Sequence, residues 1–426
     1  MTRSYHHRLR AMPGVNILTL SIAVLLAGTS PVLADSRDEE IRLLKAQLAE
    51  LSKRLEKLEQ DRLQSQVKKA PTHTKNTKTP TPSKNLQHSK FNHWPHRVAF
   101  NADIRYRFEY IDQRDRDSRL RHRLRYRMGM EMRLNENIDI GFRLASGAGN
   151  PVSTNIGVSD AFSNKPFTLD KAYVNLQLGE NSRLTAGKMG NPFFRPNKSQ
   201  LLWDNDLTPE GLAWRYKGTG WHAVATWLQL EERKAADETQ MFGVQVVAPV
   251  DFEQKAKLTV GMGYFDYVNI QGYSPLYDGN ARGNSIDANG DYASDFNELE
   301  LSALLETRLF DRPFTLFADY VKNTVAESNE DTAYLAGFQI GKAKKMGSWQ
   351  FSYAWHSADA DAVVALLNNS DLAGGQTNSD GSITRFKYIL KPKTTFSLTW
   401  ISSTQKKNTD NPVAYDRLQA DFSWKF

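Results

Sequence analysis

Between Arg119 and Leu134 the chain reads RLRHRLRYRMGMEMRL, an alternation that runs far past the usual strand of about 5–6 residues. One parity holds Leu120, His122, Leu124, Tyr126, Met128, Met130, Met132 and Leu134. The other holds Arg119, Arg121, Arg123, Arg125, Arg127, Gly129, Glu131 and Arg133. A period of two puts these sets on opposite faces of a strand. A face of five or six guanidinium groups does not suit a dry core, where each unpartnered charge costs several kcal/mol. It suits a wall with lipid on one side and water on the other.

The composition is compatible with such a wall. Mean hydropathy is −0.56, which excludes a helical membrane bundle but not a barrel, whose strands are half polar and leave no hydropathy peak. The chain has no cysteine, so neither disulfides nor thiolate metal sites contribute. A single apolar peak, Val15 to Ala27, follows Arg3, Arg8 and Arg10 and precedes Val32-Leu33-Ala34. That is the pattern of a secretory signal peptide over residues 1–34. The run is shorter than the roughly 20 residues of a membrane-spanning helix. Removing three arginines and no acid takes the net charge from +7 to +4.

Residues 35–65 change to heptads, with Ile41, Leu48 and Leu55 at one seam position and Leu44, Leu51 and Leu58 at the other. This predicts a coiled coil of roughly 40 Å. Arg54 and Glu59 flank Leu55 and Leu58 in a spacing that resembles the motif of three-stranded parallel coils. A homotrimer is therefore favoured over a dimer, although leucine at both seam positions leaves the two-stranded form open. Residues 66–96 carry six lysines and no acid in a Thr/Pro/Lys tract, and predict a linker reaching about 30 Å as flexible coil. A basic tract of this kind in an exported chain is a poor nucleic-acid reader, so no nucleic-acid partner is expected.

From residue 97 to 426 the alternation recurs almost without interruption. Strands are predicted near 98–111, 118–134, 138–146, 168–178, 183–190, 211–218, 221–230, 241–249, 256–267, 298–310, 313–325, 332–341, 348–358, 381–390, 395–405 and 413–426. Short connections (135–137, 179–182, 219–220, 311–312) alternate with long ones (147–167, 191–210, 268–297, 359–380). Sixteen strands with that alternation predict an all-β fold, a 16-stranded antiparallel transmembrane barrel preceded by a short periplasmic coiled coil. An even count puts both barrel ends on the short-turn, periplasmic side. The aromatic content, 11%, serves two interfacial girdles. Phe422, Trp424 and Phe426 on one parity of the last strand resemble the terminal signal read by the outer-membrane assembly machinery. A soluble sandwich or propeller is disfavoured, because nothing dry remains to cover so much apolar surface.

A barrel of this size leaves an aqueous channel. Arg105, Arg107, Arg121, Arg123, Arg125, Arg127 and Arg143 share the predicted lumen parity and make one wall positive. Strand ten lies eight strands away and carries Glu298, Glu300 and Glu306 on its lumen parity, with Asp319 on the next strand. The expectation is a transverse field across the channel, arginine wall against acidic wall, that orients polar solutes. Arg–acid pairs that merely solvate the wall are the alternative.

By residue 220 the chain also carries a resemblance. Arg119–Gly129, then GFRLASGAGNPVSTNIGVSDAFSNKPFTLDKAYVNLQL (Gly141–Leu178) and LTAGKMGNPFFRPNKSQLLWDNDLTPEGLAWRY (Leu184–Tyr216), resemble the bacterial "putative porin" family. The likeness is sharp over roughly residues 100–220 and architectural elsewhere. It implies a Gram-negative outer-membrane barrel with a signal peptide, an N-terminal coiled coil in the periplasm, and passive diffusion of small hydrophilic solutes or ions. It supplies no catalytic or ligand motif. The loop at 191–210 follows the fifth predicted strand, and the corresponding loop in general porins folds inward to narrow the pore. By that analogy Arg195, Asp204, Asp206 and Glu210 are candidate constriction residues, with a loop packed on the barrel rim as the other reading.

Enzymatic readings find no support. His122 lies on the apolar parity, His356 on the lumen parity and His222 on neither clearly, and no Ser and Asn/Asp partners sit at suitable positions. Walker A, dinucleotide-binding glycine and HExxH patterns are missing. Asp287, Asn289 and Asp291 resemble the start of a calcium loop, but Gly290 is misplaced and no bidentate Glu follows. No cofactor or metal is expected. Expected partners are outer-membrane lipid and lipopolysaccharide. A structural tether is the second functional class, the stalk and basic linker reaching toward acidic peptidoglycan, alone or combined with a substrate-selective channel.

Overall fold

The computed structural model describes residues 97–252 and 256–426, together with Glu50 and Lys53. Those two early residues are helical. The predicted signal peptide, coiled-coil seam and linker otherwise lie outside the described residues. From Val98 onward the period-two pattern becomes β1 (Val98–Gln113), β2 (Arg119–Arg133), β3 (Ile138–Ser146), β4 (Ile156–Gly157), β5 (Phe167–Gln177) and β6 (Ser182–Lys188). It continues as β7 (Glu210–Gly218), β8 (Trp221–Glu231), β9 (Thr239–Phe252), β10 (Ala256–Val268), β11 (Asn297–Leu309) and β12 (Arg312–Asn323). The last five strands are β13 (Thr332–Gly341), β14 (Trp349–Ala358), β15 (Ser379–Lys391), β16 (Thr394–Gln405) and β17 (Val413–Lys425). β4 is a two-residue ribbon inside a loop, bridged to Arg123 and Leu124 of β2.

The other sixteen strands pair antiparallel with their sequence neighbours, and β1 pairs with β17 from Asp103↔Lys425 to Gln113↔Tyr415. The sheet therefore closes on itself, leaving no edge strand to template aggregation. Turns on the side of the two barrel ends are tight. Between β11 and β12 the chain reverses at Phe310 and Asp311, with φ of 48° and 59°. Two positive φ values match the right-handed twist of the flanking strands. The long loops all lie at the opposite end.

Burial is inverted relative to a soluble protein. Outward side chains are apolar and exposed, for example Val246 at 51%, Met262 at 56% and Trp400 at 50%. Inward neighbours such as Glu109, Gln245 and Gln419 are buried. Exposed apolar area costs about 25 cal/mol per Å² in water, so a continuous outer band of this kind requires lipid.

Half of the interior is dry as well. Val224 and Leu228 on β8, Met241 on β9, Phe265 on β10, Phe317 on β12 and Leu335 on β13 point inward and form one cluster with residues of the long loops. The inner face is polar along the arc from β15 through β1 to β3 and apolar over much of β8 to β14.

Candidate functional site

The loop after β6 carries Pro192-Phe193-Phe194-Arg195-Pro196 and folds into the barrel. Phe193 stacks on Trp203 at 5.3 Å and meets the Phe265 ring edge-to-face at 4.9 Å. Three inward glycines, Gly243, Gly261 and Gly263, make the hollow that seats it. A Cβ on Gly243 would stand 3.0 Å from the Phe265 ring and 3.1 Å from Phe193, and one on Gly261 3.2 Å from Phe194. Gln245 pins the backbone of Phe194 twice, accepting from its N–H at 2.7 Å and donating to its carbonyl at 3.0 Å. The Arg195 guanidinium donates to the Trp203 carbonyl at 2.9 Å, which closes the loop on itself.

A second loop, between β14 and β15, enters from the other side. Its apolar stretch Val363–Leu367 is buried in the same cluster. The two loops clasp each other. Asp204 N–H donates to the Leu367 carbonyl at 2.7 Å, and the Asp204 carboxylate accepts from Ser370 N–H at 2.9 Å and Asp206 N–H at 2.8 Å. Burial, then the like charge of Asp206, pushes the Asp204 carboxyl up to about 7.

The predicted acidic wall is sealed by these loops instead of facing water. Glu298 is 0% exposed, Glu300 1% and Asp319 3%. Glu298 accepts from Val364 N–H at 3.1 Å and Glu300 from the Gln245 amide at 2.7 Å, while Asp319 meets the Ser199 hydroxyl and the Glu300 carboxyl. Their parity is the expected one, but two loops stand between them and the channel, because inward apolar residues on β8 to β14 offer the loops a surface to dry. Glu306, lower on β11, is exposed.

All seven predicted arginines lie on the inner face. Arg125 and Arg127 each donate to Asp103 at 2.9 Å, and both reach Asp206 of the inward loop, at 3.5 and 3.6 Å. Arg107 grips Asp421 with two bonds of 2.7 and 2.9 Å. Arg121 pairs with Glu109 at 2.5 Å, Arg143 with Asp170, and Arg123 with the Asn155 carbonyl at 3.2 Å. Arg105 donates to the Asn155 side chain at 2.5 Å. Glu210 departs from the expectation. It stands exposed at the start of β7, paired with Lys188 at 2.6 Å, because its position is already strand and no longer inward loop.

A cavity of about 350 Å³ separates the loops from this wall. Asp204, Asp206 and Asp371 face it from the loops; Arg105, Arg107 and Arg125 face it from β1 and β2; Arg385, Lys387 and Lys425 face it from β15 and β17. Burial works to raise the Asp371 carboxyl, yet the Arg417 and Arg107 guanidiniums outweigh it and hold that carboxyl well below the usual range. Asp371, Arg385, Lys387, Arg417 and Lys425 are additions to the expected set. The signals for them are present: Thr384-Arg385-Phe386-Lys387-Tyr388 alternates like β2, and Val363–Leu367 is an apolar run in an otherwise polar connection.

The three histidines of the barrel strands occupy unrelated surroundings. His122 faces outward and bonds the Tyr106 hydroxyl at 2.7 Å, His356 is fully buried inside, and His222 lines a second cavity beside Arg215 and Phe194. Asp287 accepts from the N–H groups of Asn289 and Asp291 at 2.8 and 3.0 Å, an ordinary Asx turn.

A family model described as "Putative porin" matches residues 74–289 and 280–426. The structure of Pseudomonas putida OprB at high pH is 12% identical, covers 78% of this chain and 95% of its own, and superposes with a TM-score of 0.56. Salmonella typhi OmpF in complex with daunomycin is 10% identical over 77% of this chain and 97% of its own, at 0.49. A mutant Rh. blastica porin is 11% identical over 77% and 100%, at 0.45. None of the curated proteins compared with the chain matches it.

Proposed function

The chain belongs to the "putative porin" family, and from that premise we propose that it is a non-enzymatic channel of the Gram-negative outer membrane for small hydrophilic solutes and ions. The observation that carries the reading is the pair of contacts from Asp206 to Arg125 and Arg127. It sets an acidic loop against a basic barrel wall across a cavity of about 350 Å³. The transverse field is thus made by the arginine wall and the loop acids Asp204, Asp206 and Asp371, in place of Glu298, Glu300 and Asp319. A field across a narrow, low-dielectric passage orients dipolar solutes and favours the ion attracted by the stronger wall. That wall is basic here, so anions are the preferred ions. In planar bilayers, replacing Arg123 and Arg125 by Glu is expected to move the reversal potential toward cations. Unchanged potentials would refute the field.

Oligomeric assembly belongs to the same proposal. The heptad seam Ile41 to Leu58 cannot stay exposed in water on a lone helix, and a homotrimer satisfies it with the stalk in the periplasm. Lipid and lipopolysaccharide are the natural contacts of the outer apolar band. A second role is favoured by residues 66–96, whose six lysines and no acid suit contact with the acidic cell-wall polymer.

A further inference from the structure

Every arginine of the upper wall has a partner, whereas a group of cations lower down makes no ion pair among the described residues. On the inner face of β15, Arg385 uses only its Nε, on the Thr399 hydroxyl at 3.1 Å. Lys387, two residues nearer the short-turn end, makes no ion pair among the described residues, and neither does Lys425 on β17. Lys198, on the inward loop, is likewise unpaired there. Its ammonium is held below the ordinary lysine range by burial and then by the positive charges of Lys425, Arg195 and Arg385. Arg385, Lys387 and Lys425 thus line one cavity from two strands, and Lys198 on the inward loop stands near enough to feel the charges of Lys425 and Arg385.

The backbone holds one of them there at a cost. Asn197 and Lys198 both take the left-handed conformation, with φ of 46° and 63°, uncommon for residues other than glycine. Such strain persists only where surrounding contacts enforce it, and it clusters at ligand-binding sites. Here Lys198 N–H donates to the Arg195 carbonyl at 3.1 Å and Ser199 N–H to the Pro196 carbonyl at 2.9 Å.

The acids nearest this group are already engaged. Asp421 is gripped by Arg107, and Asp371 by Arg417 and Arg107. Between the strands, Ser397 pairs across from Lys387, and Ser423 lines the same cavity. Hydroxyls beside unpaired cations are donors, and what they lack is an acceptor-rich counter-ion.

We propose that Lys198, Arg385, Lys387 and Lys425, with Ser397 and Ser423, form a binding site for a doubly charged oxyanion of the phosphate class, on the short-turn side of the constriction. The proposal rests on the reading of the chain as an open channel. A doubly charged tetrahedral oxyanion can accept from three or four donors converging on it, whereas a singly charged ion gains less from each. An anion entering from the long-loop side passes the acid-neutralised arginines and stops where the positive charge is uncompensated.

The test uses the full chain in planar bilayers in potassium chloride, with inorganic phosphate added, and calorimetric titration of phosphate into the same protein in detergent. Phosphate is expected to reduce chloride current in a saturable way. The K387Q/K425Q double variant, and separately K198Q, should raise the half-effective concentration by about tenfold or more while chloride openings persist. Nitrate, of single charge, should block little. Phosphate without effect, an equal effect in the variants, or nitrate as potent as phosphate would overturn the site. Absence of openings from folded natural protein would overturn the channel reading instead, and the titration would then decide the site by itself: saturable heat lost in the variants supports it, and none refutes it.

Discussion

At the scale of single residues, the constriction depends on one carboxyl with two duties. Asp204 holds the two inward loops together and also faces the cavity. Its folded value, about 7, lies above the ordinary aspartate value, so the folded loops bind more protons than separated loops in the window from about pH 4 to 7. Stability of the clasp therefore falls as pH rises through that window and levels off above it. Current noise from loop motion should grow from pH 4 to 7 in the natural protein and flatten in Asp204→Asn. A noise spectrum with the same pH dependence in both would contradict the assignment. Parity alone puts Arg105 to Arg143 on one face, and it puts Arg385 and Lys387 on the same kind of face once the alternation at 384–388 is weighed. It cannot tell an inner face that meets water from one that meets a loop, and that is why Glu298, Glu300 and Asp319 read as channel wall.

Elements show the same division. Strand limits are legible because turn residues and alternation both mark them, and β3 and β13 start and stop where the pattern does. Inward loops carry no period. Their docking depends on complementary gaps in the wall, chiefly the glycines of β9 and β10, whose meaning emerges only when Phe193 and Phe194 are seen against them. Gly263 is the sharpest case, since a Cβ there would lie 2.7 Å from the Glu300 carboxylate and 2.9 Å from the Phe265 ring. Gly263→Val should cost about 1–3 kcal/mol by overpacking and push the loop off the wall. Single-channel conductance should increase while heat-modifiable gel migration still reports a closed barrel. An unchanged conductance would mean that the loop is held by other contacts.

For the whole molecule, the contacts of the constriction named above all lie among residues 97–426. Deleting residues 35–95 should accordingly leave conductance per channel unchanged and remove any retention on purified cell wall. Loss of conductance would tie the stalk to the channel itself. The fold was legible at this scale because closure needs only an even set of alternating strands, whereas the shape of the passage depends on two loops that meet only in three dimensions.

The dry cluster and the charged wall occupy different arcs of the same barrel, β8 to β14 and β15 to β3. A substitution on the charged arc changes what passes without thinning the packing that holds the loops, and one in the dry arc changes the opening without altering its charge. Solute preference and mechanical integrity can thus diverge independently among descendants of such a chain, as two traits written on opposite sides of one cylinder.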